Sequence, residues 1–222
     1  MALVTAQMSV SLDGFISGPQ DVDAGFHRVT RWVIDAWAWR DRLGFAGGER
    51  NTSSALIDVY VEATGAYVMG RRMFDGGEVP WGDVPPFRAP VFVVTHRPRE
   101  TLVKEGGTSF TFVADGIHRA IELARDAAGG KNVAISGGGT LVQQVIRAGL
   151  LDQLDLHIAP VLIGKGMRLF GPLDHEAIEL TPIRIVDTPE VTHIRYKVSG
   201  PASLTLDDRG TGRPPRGQGG AG

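Results

Sequence analysis

Between residues 66 and 145, short β-branched runs take turns with glycine-marked breaks and helical stretches. The runs "AYVMG", "VFVVT", "SFTFV" and "NVAIS" are rich in β-branched and aromatic residues and too short for helices, so they read as strands. Helices between them force crossover connections, whose right-handedness lays the strands parallel. This pattern excludes an all-helical bundle and an all-β sandwich, and it leaves an open α/β sheet. Residues 3–10, "LVTAQMSV", add a first strand. Near the other end "DLHIAPVLI", "IELTPIRIVD" and "VTHIRYKVS" follow one another with no helix between them, so the sheet should finish in an antiparallel hairpin.

The intervening segments read as follows. "SLDGFISGPQDVDAGF" is a long loop rich in Gly, Asp and Pro. Residues 30–43, "TRWVIDAWAWRDRL", predict one helix with Trp32, Val33, Ala36, Trp37 and Leu43 near one face. Residues 53–64 predict a second helix, and "RRMFDGG" a short third. Asp115 is placed to cap "GIHRAIELARDAA", which Gly129 closes, and "TLVQQVIRAG" is a helix ending at Gly149. Residues 1–200 form one domain with a Trp-rich insertion at 26–50. Residues 201–222 fill with Gly, Pro and Arg and are expected to be a flexible tail.

Composition narrows the chemistry. Hydrophobic residues make up 42% and charged residues 22% of the 222, enough for a core. A net charge of −2 gives no bulk attraction to nucleic acid or an anionic membrane. The absence of cysteine removes thiol catalysis, disulfides and cysteine-held zinc. Six histidines at 27, 96, 118, 157, 175 and 193 show no metal-binding spacing, so no metal is expected. The start "MALVTAQMSVSLDGF" has no secretory pattern, and the cytoplasm is the expected compartment.

The candidate site lies where strands run into helices. In "NVAISGGGTLVQQV" three glycines, Gly137, Gly138 and Gly139, separate a strand from a helix. Free N–H groups and a partial positive charge at a helix start suit a phosphate, and glycine lets the backbone approach it closely. A tight turn without a ligand explains the glycines equally well. A dinucleotide fingerprint from Gly137 fails at Val142, and "GKG" at 164–166 is no P-loop. Two further strand ends repeat the theme: Gly70 with Arg71 and Arg72, then Thr95 with His96 and Arg97. In a parallel sheet these ends share one edge, where the cations could converge on a polyphosphate.

The stretches "MSVSLDGFISGP", "VMGRRMF", "VFVVTHRP" and "ISGGGTLVQQVIRAGLLDQLDLHIAPVLIGKGMRLF" resemble, in order and spacing, the dihydrofolate reductase-like superfamily. More closely they resemble the reductase domain of riboflavin-biosynthesis deaminase-reductases and its stand-alone relatives. The resemblance implies a mostly parallel eight-stranded sheet with helices on both faces and a C-terminal antiparallel hairpin, binding NADPH at its carboxyl edge. It places Gly70, Gly137, Gly138, Gly139, Thr140 and Leu141 on the cofactor, with a cis peptide at Gly137–Gly138. It gives Arg71 and Arg72 to the phosphates, and Thr95, His96 and Arg97 to the 2′-phosphate. In folate reductases an acid sits near the start of the second helix. The aligned residue here is Ser54, a departure that argues against true dihydrofolate reductase activity. In its place the "SLDG" element offers Asp13 as the substrate-orienting or proton-handling group, or merely a turn cap, with Gly14, Gln7, Phe26 and His27 as further pocket residues.

The implied function is an NADPH-dependent reductase transferring hydride to a small heterocyclic or imine-type substrate, with 5-amino-6-(5-phosphoribosylamino)uracil reduction as the family's own reaction. The Trp-rich segment argues for a flatter or more apolar substrate than a phosphosugar. A non-catalytic NADPH-binding module is the alternative. A homodimer through the late strands would cover the final edge.

Overall fold

The computed structural model describes residues 2–19, 22–171 and 177–199, with the side chains of residues 22–24 outside that description. The expected tail at 201–222 lies outside the described residues, as does His175.

The first strand, β1 (Val4–Ser11), sits near the middle of a nine-stranded sheet. Parallel to it on one side run β7 (Asn132–Ile135), β3 (Thr64–Gly70), β4 (Pro90–Val94) and β6 (Ser109–Val113), in that spatial order. On the other side β8 (Gln153–Ala159) is also parallel to β1. The chain then turns back: β11 (Thr192–Val198) pairs antiparallel with β8, and β10 (Leu180–Asp187) pairs antiparallel with β11 as the edge. The eight strands read from the sequence are all present. The ninth is β5 (Leu102–Val103), a two-residue antiparallel partner of β6. A two-residue strand carries no periodicity, which is why the sheet was expected to have eight. A separate ribbon joins β2 (Phe15–Ser17) to β9 (Met167–Arg168).

Helices cover both faces. On one, α5 (Gly116–Ala127) and α6 (Gly139–Arg147) pack on a core that includes Ala6, Met8, Val68, Ile135, Ile121 and Val145. On the other, α4 (Arg71–Gly77) joins a cluster of Met69, Phe74, Val91, Val93 and Phe110. Further along that face lie α1 (Val22–Ile34), α2 (Trp37–Arg42) and α3 (Thr52–Ala63) around Trp32, Ala36, Ile57 and Val191.

Two local expectations are corrected. The single helix over 30–43 is two helices, because the chain breaks at Asp35 and Ala36, with Ala36 extended and bridged to Glu49. This break lets Trp32 face the sheet while Trp37 stacks under Arg50, 3.5 Å from guanidinium carbon to ring centroid. The loop read over 11–26 contains β2 and the start of α1. Asp115 does occupy the N-cap position of α5, but its side chain makes no capping hydrogen bond.

Candidate functional site

The carboxyl ends of β1, β7, β3, β4 and β6 share one edge because the strands are parallel. At its centre β7 gives way to the glycine run. Gly70 at the end of β3 donates its N–H to the carbonyl of Gly137 at 2.9 Å, which joins two strand ends. Gly137 has φ +100°, a conformation that side chains rarely adopt, and a Cβ there would lie 3.6 Å from Met8 Sδ and 3.8 Å from Met73 Sδ. The Gly137–Gly138 peptide is cis. Gly138 is exposed, and a Cβ on it would enter open space. Helix α6 then begins with no side-chain cap. Gly139 is packed so closely that a Cβ would lie 3.0 Å from Ile16 Cδ1. Thr140 is exposed in the first turn, whereas the Leu141 side chain is part of the core. The result is an uncapped helix start facing free space, the arrangement that accepts an anion.

Cations gather beside it. Arg71 donates from Nε to Asp75 Oδ1 at 2.6 Å and from Nη1 to the carbonyl of Arg97 at 3.0 Å. Thr95 is buried, and its hydroxyl accepts the Arg97 N–H at 3.0 Å, which folds the chain after β4 back toward α4. The Arg97 guanidinium lies 3.9 Å from Asp75 Oδ2. The structure therefore brings Arg71, Thr95 and Arg97 together, with exposed Arg72 and His96 next to them. Asp75 was missed by the sequence reading. The only signal for it was its i+4 spacing from Arg71 within a helix.

Asp13 lies in the turn after β1, with its carboxylate engaged inside the protein. Its carboxylate accepts the Ser11 hydroxyl at 2.6 Å, the Gly164 N–H at 2.7 Å and the Ile163 N–H at 3.1 Å. The Ser11 hydroxyl, followed by those backbone donors, holds its pKa down to about 2. The carboxylate thus clasps the loop after β1 to the loop after β8. Leu12 N–H to Val161 O, Leu169 N–H to Gly14 O and Arg168 to Asp13 O tighten the same junction. Gln143 of α6 donates to Leu169 O at 2.7 Å, so the clasped loops rest on the helix that starts at the glycine run. Gly14, at φ +87°, makes the turn. Phe26 and His27 are exposed on the outer side of α1, edge to face with each other. Gln7 is half-buried in mid-strand, opposite Asp155.

A second polar group lies beneath α1 and α3. Asp155 Oδ1 accepts from Arg195 Nε at 2.7 Å and from the Tyr60 hydroxyl at 3.3 Å, while Oδ2 is buried without a partner. His157 and His193 meet through Nδ1 at 2.8 Å, and His193 Nε2 reaches Ser53 at 3.1 Å. Trp32 donates to Ser9 at 3.0 Å and lies against His157, with ring centroids 4.6 Å apart. Ser54, at the position where folate reductases carry an acid, accepts from the N–H of Ala38. Among the described residues no group of three or more acidic or histidine side chains could hold a metal. No helix there is long and apolar enough to cross a membrane.

A family model described as the RibD C-terminal domain matches residues 2–194. The chain belongs to that family. A relative in Bacillus subtilis (strain 168), the uncharacterized protein YyaP, is 24% identical over 174 residues, which span 75% of this chain and 79% of that one. A crystal structure described as a riboflavin biosynthesis protein from Shewanella sp. PV-4 superposes with TM-score 0.64 at 21% identity, over 89% of this chain and 99% of the other. The riboflavin biosynthesis reductase Rib7 of Saccharomyces cerevisiae superposes with TM-score 0.55 at 11% identity, over 89% and 90%. The dihydrofolate reductase-like fold read from the sequence is thereby established.

Proposed function

We propose that this chain is an NADPH-dependent reductase that delivers hydride to a small heterocyclic or imine-type acceptor, of the same reaction type as the riboflavin-pathway reductases. The observation that carries this reading is the meeting, on one sheet edge, of the uncapped start of α6 with the cations of Arg71 and Arg97. A nicotinamide nucleotide is a chain of phosphates ending in a redox ring, and these groups fit its charged part. Gly138 admits a pyrophosphate because no Cβ fills the space in front of the helix, and Gly139 lets the start of α6 pack closely on Ile16 behind it. Arg71, Arg97 and Arg72 supply the positive charge for a ribose phosphate, with His96 exposed beside them. When bound, the nicotinamide supplies the hydride; the chain's residues orient the two reactants and exclude water. Gly70, Thr95 and Leu141 contribute backbone and packing that hold this edge in place, and Thr140 is exposed in the first turn of α6 beside it.

Asp13 acts in this reading as a positioning residue. Its lone pairs are already taken by Ser11, Ile163 and Gly164, and it stays ionised through the physiological range. It holds the two loops that wall the site. Gln7 lies on the face of β1 that looks toward α1 and α3, which leaves it as a substrate contact deeper in the sheet.

A non-catalytic nucleotide-binding module is the second reading. It is favoured by two observations: Ser54 stands where folate reductases carry an acid, and the Asp13 carboxylate is engaged by Ser11, Ile163 and Gly164. One experiment separates the two. Purified protein is titrated with NADPH, then offered pterins, aminopyrimidines and quinoid or imine compounds while the reduced-nicotinamide absorbance is followed. Binding with turnover supports the reductase, binding without turnover supports the module, and no binding removes both.

The reading also carries a homodimer. Ile185 of β10, Ile194 of β11 and Leu156 of β8 pair in register on one face and are only partly covered, or exposed. A second copy of this face is a suitable cover.

A further inference from the structure

Resting on the cofactor reading above, we propose that Asp75 is a specificity-determining residue, which lowers the site's preference for a nicotinamide nucleotide carrying a ribose phosphate. Cations that converge from separate elements normally stand ready for an incoming anion. Here they are already closed around one that belongs to the protein. Arg71, at the start of α4, and Arg97, in the loop after β4, both turn to the Asp75 carboxylate, at 2.6 and 3.9 Å on its two oxygens. Arg71 also reaches the carbonyl of Arg97 at 3.0 Å, so the three residues form one closed group. The group faces solvent, since 78% of the Arg97 side chain and 41% of that of Asp75 are exposed. The carboxylate thus marks the place where an anion is best received, and it holds that place.

Two effects of a carboxylate there act in the same direction. It repels a phosphate entering between the same two guanidinium groups. It also offers an acceptor to a ribose hydroxyl, the device by which unphosphorylated dinucleotides are held elsewhere. A third effect opposes them: Asp75 holds Arg71 in one conformation, and freeing it costs side-chain entropy on binding. A single ion pair this exposed contributes little. Repulsion between a carboxylate and a single negative charge of a phosphate about 4 Å away is worth roughly fivefold in affinity even in water-like surroundings. Repulsion therefore wins, and the ratio of NADPH to NADH affinity is smaller than the two arginines alone would set.

The test is equilibrium titration of wild type, Asp75→Asn and Asp75→Glu with NADPH and with NADH, each at low and high salt. Asp75→Asn should bind NADPH about fivefold tighter, with NADH unchanged or slightly weaker. The gain should shrink at high salt, where charges are screened. Asp75→Glu, which keeps the charge, should retain a ratio close to wild type. Melting temperatures of the three proteins check that each is folded. An unchanged ratio in Asp75→Asn, or weaker NADPH binding, overturns the proposal while leaving the cofactor reading intact. Failure of the wild type to bind either nucleotide removes the cofactor reading, and this inference with it.

Discussion

The two sides of β1 are built on opposite principles. Toward β7, β3 and β4 the strands are apolar on both faces: Ala6, Val68 and Ile135 under α5 and α6, Met69, Val91 and Val93 under α4 and its neighbours. Toward β8, β11 and β10 the polarity is reversed from what alternation alone suggests. Asp155, His157, His193 and Arg195 point into the layer covered by α1 and α3, while Leu156, Ile194 and Ile185 point to the half-open face. Alternation tells which residues share a face, but not which face the rest of the molecule covers. At this end the inside is polar and held by pairing, and the outside is apolar and only partly covered.

The largest expected effect comes from breaking the inner pairing. Asp155→Ala leaves Arg195 without its carboxylate and Tyr60 without its acceptor, and should cost about 3 kcal/mol of stability. Burial already pushes the Asp155 carboxyl up, against the pull of Arg195, so the group as a whole stabilises little. Replacing both partners, with Asp155→Leu and Arg195→Leu, should therefore recover most of the loss. Urea midpoints of the single and double variants check this. A single variant as stable as wild type would show that the inner polar layer is idle.

The outer face comes next. Ile185 is 64% exposed in one copy, so Ile185→Asp should leave the fold of a monomer unchanged. If a second copy covers that face, the substitution should weaken association by about 2 kcal/mol, the scale of burying one large aliphatic side chain. Sedimentation across a concentration series reads the shift. A monomeric wild type would remove the dimer.

A smaller effect is expected from pH. Burial holds His157 and His193 below the ordinary histidine range; His193, opposed further by Arg184 and favoured by Glu190, falls to about 4. His157 is held down also by His193 and Arg195. With folded values below the unfolded ones, the fold binds fewer protons than the unfolded chain. The stability from neutral histidines is thus present above the unfolded value and is lost as pH falls from about 6.5 toward 4. The raised carboxyl of Asp155 works the other way, adding stability as pH falls. The histidine share is read by subtracting the pH profile of His193→Gln, which keeps a polar side chain beside Ser53 but does not titrate. Parallel profiles for the two proteins would contradict the assignment.

This contrast also explains what could be read from the chain. The parallel side was legible because runs such as "VFVVT" and "NVAIS" are buried on both faces, so no choice of face arises. The glycine run was legible because a strand, three glycines and a helix follow one another locally. The buried ionic layer was not. "LDLHI" shows polar residues at every second position, which in isolation signals a wet face, and only α1 and α3, distant in sequence, make it the inside. The same holds for Asp75, whose meaning depends on Arg97 arriving from another strand end. Asp13 stands out in the sequence, but its carboxylate is taken up by a loop some 150 residues further on, a partner no local pattern announces.

Asp13 joins the two sides, since it ties the loop after β1 to the loop after β8, and its loss is the smallest effect on stability. Asp13→Asn keeps one carbonyl oxygen for the Gly164 N–H or the Ser11 hydroxyl, but not for both and Ile163 together. The site is at the surface, so the fold should lose little stability. Function should respond more, because the clasped loops rest on α6 through Gln143 and Leu169. Loosening them should raise KM for the hydride acceptor by about tenfold with a smaller change in kcat, the pattern of lost positioning rather than lost chemistry. The pH profile decides between the two roles. Held at about 2, the carboxyl is ionised across the working range, so wild type and Asp13→Asn should show profiles of the same shape, displaced only in height. Loss of a titrating limb in Asp13→Asn would mean that the carboxylate handles protons after all, and that the two sides of the sheet are joined at the reacting atoms rather than beside them.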